Sequence, residues 1–308
     1  MSQEATTLSE PTVKVRSQQR RMWHTFLGNR LTIVGLILVI LIILTAVFAD
    51  DWFIAFFQGR EAEPLLAPYD PIKQDTRNRL APPSKEHLMG LDSFGRDILS
   101  RIIYGARVSL LVGICAVLLG GALGTLMGLV GGYVGGGAEN LLMRAVDVLM
   151  AFPSLIMGLM VLAVLGAGLG KMILAIGIVL APTFARVGHS ATLASKENEY
   201  VEVAKSLGAG RFRIIRTHIF PNILGEIVVL ASIWTAVAIR VEANLSFIGL
   251  GISPPTPAWG TMIRQGTQHL GHAPWVSIFP GLAILITVLA FNLLGDGLRD
   301  ILDPKLQQ

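Results

Sequence analysis

"EYVEVAKSLGAGRFRIIRTHIFPN", residues 199–222, carries charges of both signs, yet long apolar runs flank it on either side. A polar segment held between two lipid-compatible runs belongs to a chain that crosses a membrane and keeps a folded piece in water. Tyr200, Val203, Ala204 and Leu207 recur at spacings of three and four, which predicts a short helix with one apolar stripe. Gly208 follows where a left-handed C-cap is expected. "AGRFRIIRTHIF" then predicts a second short helix, ended by Pro221-Asn222. The stripe requires a partner, and nothing else in the chain provides a soluble surface. The plainer alternative is a helix lying on the inner leaflet, its arginines on anionic lipid.

The whole chain agrees with a membrane setting. Of its 308 residues 52% are hydrophobic and 15% charged, and mean hydropathy is +0.61. Soluble proteins are about 25% charged. Apolar runs lie at 31–49, 108–130, 141–165, 171–189, 223–246 and 276–295. Each is long enough for a helix across about 30 Å of hydrocarbon. Within lipid a helix satisfies its own backbone, so the expected class is an all-α polytopic protein with six transmembrane helices. The third and fourth runs, joined by "GAGLGK" (166–171), predict a helical hairpin. The run at 31–49 is longer than a signal-peptide core and follows about 30 polar residues, so an uncleaved anchor is expected.

Basic residues set the orientation. Lys14, Arg16, Arg20, Arg21 and Arg30 precede or open the first run, and only Arg60 lies in the 15 residues after it. The expected organisation is a cytoplasmic tail at 1–30, a first transmembrane helix at 31–49 and an extracytoplasmic loop at 50–107. A five-helix core at 108–295 follows, with a cytoplasmic loop at 190–222, and 296–308 is a cytoplasmic tail. The outer loop carries eight Lys/Arg, against the rule, but also nine Asp/Glu, and long loops respond weakly to it. Inside this loop "DWFIAFF" (51–57) is expected at the interface. "LDSFGRDILSRIIYGARVSL" (91–110) is expected as a short amphipathic helix on the outer surface, capped by Asp92 or Ser93.

Chemistry-bearing patterns are scarce. "GAGLGK" fails as a phosphate loop, because Met172 replaces Ser/Thr and Leu165 stands at the earlier glycine. Cys115, the single cysteine, reads as a small buried hydrophobe with no metal-site spacing. His189 and His218 read as surface histidines. Nucleic-acid binding is a poor reading of the basic pI, because the net charge is only +4 and the basic residues sit mostly beside apolar runs. Gly120, Gly124, Gly128 and Gly132 make a bare stripe for close helix packing, static or sliding during a transport cycle. Arg144 and Asp147 are expected to pair, and Asp296, Arg299 and Asp300 close the last run. Arg240 and Glu242 sit in the outer third of the fifth run. There they are candidates to meet the charged ends of a peptide, although residues two apart point about 200° from one another. The plainer reading has Arg240 at the outer interface or on a partner subunit.

Several stretches carry a resemblance. Glu202-Val203-Ala204, three residues, Gly208, then Ile219-Phe220-Pro221 resembles the EAA loop of ABC-importer permeases, with Val203 for the second alanine and Phe220 for leucine. "HLMGLDSFGRDILSRIIYGARVSL" (87–110), "MRAVDVLMAFPSL" (143–155), "LSFIGLGISPPTPAWG" (245–260) and "FPGLAILITVLAFNLLGDGLRDILDPK" (279–305) resemble the dipeptide/oligopeptide/nickel family. Within it they are most similar to the DppC/OppC-type second permease subunit. The resemblance runs from about residue 25 to the end.

It implies a type I ABC-importer permease fold in the bacterial inner membrane, with a cytoplasmic coupling helix. Tyr200, Glu202, Val203, Ala204, Leu207, Gly208 and Pro221 would belong to the ATPase-coupling loop. The implied partners are a homologous second permease subunit (DppB/OppB-type), two cytoplasmic ABC ATPases and an extracytoplasmic binding protein, with membrane lipid around them. ATP and Mg would sit on the ATPases and no cofactor on this chain, which would not itself be an enzyme. Peptides lead as substrate; glutathione, nickel chelates and other small solutes stay open. A secondary transporter working without ATPases is the alternative class, and a membrane enzyme or assembly scaffold a third.

Overall fold

The computed structural model describes residues 29–51 and 63–302. The "DWFIAFF" segment beyond Asp51, the tail before Asn29 and the residues after Leu302 lie outside the described residues. The helices are α1 (Arg30–Val47), α2 (Ile98–Val134), α3 (Gly136–Met150), α4 (Ser154–Leu165), α5 (Leu169–Lys196), α6 (Glu199–Ser206), α7 (Arg211–Ile214), α8 (Phe220–Ile248), α9 (Trp259–Thr267) and α10 (Trp275–Leu302). Five stretches are long and apolar enough to cross a membrane, and α3 with α4 makes a sixth as a broken pair.

That break corrects the expected third span at 141–165. α3 and α4 meet at 94°, across Ala151, Phe152 and Pro153. Proline disfavours a helical conformation in the residue before it and leaves one backbone donor missing, so the helix stops and restarts. The expected hairpin is present between α4 and α5, with left-handed Gly166 and Gly168 in the turn.

α2 corrects a second expectation. Among the described residues no separate surface helix precedes the second span: one 37-residue helix starts at Ile98. Its cap is Asp97, whose carboxylate accepts from Ser100 N at 2.8 Å, rather than Asp92 or Ser93. At 1.5 Å per residue α2 is about 55 Å long, well beyond the hydrocarbon thickness, so one or both ends project from it.

The glycine stripe explains how the bundle closes. α2 and α5 run parallel, and Gly120, Gly124, Gly128 and Gly132 face the carbonyls of Gly177, Ala181, Ala185 and His189 in turn. A Cβ at Gly120 would lie 2.5 Å from the Gly177 carbonyl oxygen, and at Gly124 or Gly128 closer still. Four successive turns of one helix therefore rest on the backbone of the other, with Leu180, Phe184 and Val117 filling the flanks. Smaller seams repeat the device: Gly35 of α1 against Leu293 and Leu294, and Gly297 of α10 against Thr32.

At the start of α2 the segment 63–97 folds into a polar cap. Arg96 Nε donates to Asp92 at 2.7 Å, Arg101 donates to the Pro71 carbonyl at 2.9 Å, and the three charged side chains are almost fully buried. His87 Nδ1 meets Asp97 at 2.9 Å, and Arg107 holds Asp50 with both terminal nitrogens. Gly95 is left-handed (φ 73°) and packs so closely on Asp75 that a side chain would meet its backbone. α9 tucks beneath this cap, with Trp259 Nε1 donating to the Ile102 carbonyl at 3.0 Å.

Candidate coupling surface

The opening stretch lies at the far end of the bundle from the cap, because parallel α2 and α5 both run toward it. Its first half folds as expected. α6 ends in a Schellman turn: Ala209 N donates to the Ala204 carbonyl at 3.0 Å and Gly208 N to the Lys205 carbonyl at 2.9 Å. Gly208 is left-handed (φ 79°), and nothing lies within 4 Å of where its Cβ would be. The glycine is therefore required by the turn's backbone and not by crowding.

The second half differs from expectation. Arg211–Ile214 runs into a π turn, Ile215–Ile219, and straight on into α8. Pro221 does not end a helix; it opens one. A proline inside an α-helix clashes with the carbonyl four residues back, and the wider π turn before Pro221 relieves that clash. The predicted helix–turn–helix is thus a short helix, a tight turn and one long helix.

The apolar stripe divides. Ala204 turns inward with Val201, against Leu129, Ile214, Ile219 and Ile223. Tyr200, Val203 and Leu207 turn outward at 39%, 59% and 82% exposure, whereas Phe212, 76% exposed, lines an apolar groove with Leu126 and Phe220. Glu202 and Lys205 are exposed beside them, as is Pro221. The result is an unpartnered apolar face on an otherwise charged end.

Tyr200 has a second function in the geometry. Asn222 of α8 and Asn198, the latter at 3.2 Å, donate to its hydroxyl, and Ser195 at the end of α5 lies 3.3 Å away. His218 lies beside its ring at a tilt of 41°, with centroids 6.0 Å apart. One phenol thus ties α6 to the end of α5 and the start of α8. Asn198, Ser195 and Asn222 escape a reading of the sequence, because only the fold brings position 222 to position 200.

The charged pairs inside the spans also rearrange. Asp147 pairs with Arg186 of α5 at 2.8 Å rather than with Arg144. His189 is no free surface histidine; its Nε2 meets Glu139 at 2.8 Å. Asp300, near the end of α10, accepts from Asn29 at 3.4 Å. Glu242 is wholly buried between α8 and α2, accepting from Ser246 at 2.7 Å and Ser109 at 3.2 Å. Arg240 is exposed on the other side of α8. The two candidates for a peptide's charged ends therefore do not share a surface. Among the described residues no cluster of His, Cys, Asp and Glu has metal-binding geometry, and Cys115 is half-buried.

This architecture has close relatives. Residues 120–308 match the family described as binding-protein-dependent transport system inner membrane component, and residues 17–83 match the N-terminal TM domain of oligopeptide transport permease C. The chain is 42% identical to the glutathione transport system permease protein GsiD of Pectobacterium atrosepticum, over 95% of this chain and 93% of that one. It is 39% identical to the di/tripeptide transport system permease protein DppC of Pseudomonas aeruginosa, over 97% and 96%. A third relative, the dipeptide transport system permease protein DppC of Alkalihalophilus pseudofirmus, is 42% identical over 94% and 91%. Among solved structures, an inward-facing MetNI methionine ABC transporter chain shares the fold, with TM-score 0.54 and 18% identity, over 66% of this chain and 97% of that one. The chain is a multi-pass inner-membrane permease subunit of an ABC importer, working with a partner permease, separate ATPases and a binding protein, and it belongs to the binding-protein-dependent transport system inner membrane component family.

Proposed function

We propose that this permease forms half of a peptide pathway and that α6 is its docking helix for one of two cytoplasmic ATPases. The exposed set Tyr200, Val203 and Leu207 carries this reading, since a bare apolar face at a charged end suits a protein groove that covers it. The termini and the loop 190–222 are cytoplasmic, and the cap 63–97 faces outward. ATP and Mg bind the ATPases. Closure of those subunits pushes α6, and the Tyr200 hydroxyl passes the displacement to α5 and α8. α2 follows α5 through the glycine seam, and the pathway between the two permeases switches from inward- to outward-open.

Peptides are the proposed cargo, because relatives named for dipeptide and di/tripeptide transport match nearly the whole chain. Glutathione is the second reading, supported by relatives at 42% identity named for its transport. Proteoliposomes holding both permeases and both ATPases, with the binding protein outside, test this directly. ATP-dependent uptake of labelled dialanine supports the first reading, uptake of glutathione alone the second, and uptake without ATPases would contradict both. Sidedness is tested by single cysteines at Ser17, Ser84 and Lys205 in intact cells. An impermeant thiol reagent should reach only Ser84→Cys; labelling of Ser17→Cys alone would invert the topology.

A further inference from the structure

Where α8 ends beneath the cap, a recess of about 320 Å³ opens between residues 93–94, 249–254 and α9. Its wall is rich in groups that donate hydrogen bonds. Arg264 stands at the mouth, its guanidinium lying where a side chain on Gly249 would be. Gly249 is left-handed (φ 103°) and bare, and this makes the room. Among the described residues no carboxylate lies within ion-pair distance of Arg264.

Gln265 beside it is oriented from behind. Arg96 Nη2 approaches Gln265 Oε1 at 3.2 Å. A guanidinium only donates, so the amide oxygen must face it and the amide NH2 is left free to donate. Arg96 is itself fixed by Asp92, and it lies over the Phe94 ring at 4.6 Å. Arg96 and Arg101 both approach the carboxylate of Asp92, which holds the Arg96 guanidinium in place behind Gln265. Ser93, Ser253, Thr261 and Gln268 add further polar groups to the wall, and Ser246 forms part of the floor. The nearby acid, Glu242, has both oxygens engaged by Ser246 and Ser109.

A recess with an unpaired arginine and a donating amide suits an anion with planar oxygens. We propose that it receives a carboxylate of the transported solute as the solute leaves the binding protein. This rests on the peptide or glutathione reading above; both solutes carry a free carboxylate. The volume is at the lower end of small-molecule sites, about 300–1,000 Å³, and fits one terminus with its neighbouring residue.

The test is arginine modification by phenylglyoxal on the assembled four-subunit complex, read at Arg264 by peptide mass spectrometry. Dialanine, dialanine amide and ligand-free binding protein are the three additions. With dialanine about tenfold above its Kd, labelling at Arg264 should slow about tenfold, and the amide should leave it unchanged. Equal effects of acid and amide, or no effect of either, would overturn the proposal. Protection by the binding protein alone would overturn it too, and would make the recess a docking socket for an acidic side chain. In proteoliposomes, Arg264→Gln should lower the turnover of dialanine at saturating binding protein by about tenfold, the loss expected for one charge-assisted hydrogen bond. Arg264→Lys should recover part of that. Unchanged turnover in Arg264→Gln would count against the site. Failure of the unaltered complex to import dialanine or glutathione would instead strike the functional reading, since the labelling result does not depend on transport.

Discussion

The two ends of this bundle solve opposite problems. At the cap, Asp92, Arg96, Asp97, Ser100 and Arg101 are nearly all inside and meet one another, and Trp259 is buried beneath them. At the α6 end, Tyr200, Val203, Leu207 and Phe212 are left outside. The cap buries charged groups that pair within the chain, while Leu65, Leu66, Ile72 and Leu88 of the same segment stay exposed; the α6 end sets its exposed apolar groups along one short helix. The contrast is between an end held together by buried ion pairs and, among the described residues, a short helix without any.

The largest effect should come from breaking the buried ion pairs of the cap. Asp92→Ala leaves two buried guanidiniums without their carboxylate, and removing one member of a buried pair costs about 3–5 kcal/mol. The purified permease pair should lose thermal stability, measured by tryptophan fluorescence. Stability equal to the unaltered protein would mean the cap is not self-contained.

A change at the α6 end should do the reverse. Leu207→Asp should leave thermal stability unchanged, because the side chain is 82% exposed. ATPase association should weaken by roughly 30-fold, the loss for an interface anchor worth about 2 kcal/mol. Co-purification at graded ATPase concentration measures it. A stability loss matching that of Asp92→Ala would erase the contrast.

Smaller effects sharpen the picture inside the coupling end. Gly208→Ala meets open space but must hold a left-handed backbone, which costs about 1–2 kcal/mol. Substrate-stimulated ATP hydrolysis should fall while basal hydrolysis persists, and normal stimulation would show that the turn is not needed for coupling. Tyr200→Phe removes a hydroxyl shared by Ser195, Asn198 and Asn222, a loss of about 1 kcal/mol. The ratio of solute imported to ATP consumed should drop, with assembly intact; an unchanged ratio would remove Tyr200 from the transmission path.

Much of this was legible in the residues, for identifiable reasons. Apolar runs mark spans because lipid demands them, so α1, α5 and α10 lie near their expected places. The glycine stripe at 120–132 reads as a seam because a spacing of four stays close to the 3.6-residue helical turn and keeps the glycines on one face. Gly208 announces its turn because few other residues adopt one. What escaped depends on partners far along the chain or on a hydrogen-bond register. The π turn at 215–219 slips one residue in a ladder and leaves no composition signal. The break before Pro153 lies within an apolar stretch that periodicity alone runs through. Glu242 stands among apolar residues, and its partner Ser109 lies in another helix, so its burial was not readable from its own span. Likewise the apolar stripe of α6 was read as one face, and only the fold divides it between Ala204 inside and Leu207 outside.

The central claim, that the outer face of α6 is an ATPase-docking surface, is tested most directly by a thiol at its most exposed point. Leu207→Cys, in a Cys115→Ser background, would be labelled with maleimide in the isolated permease pair and again after assembly with the ATPases. Rapid labelling of the pair and strong protection in the assembled transporter are expected, while Ser84→Cys on the cap labels equally in both. Equal labelling of Leu207→Cys before and after assembly would contradict it.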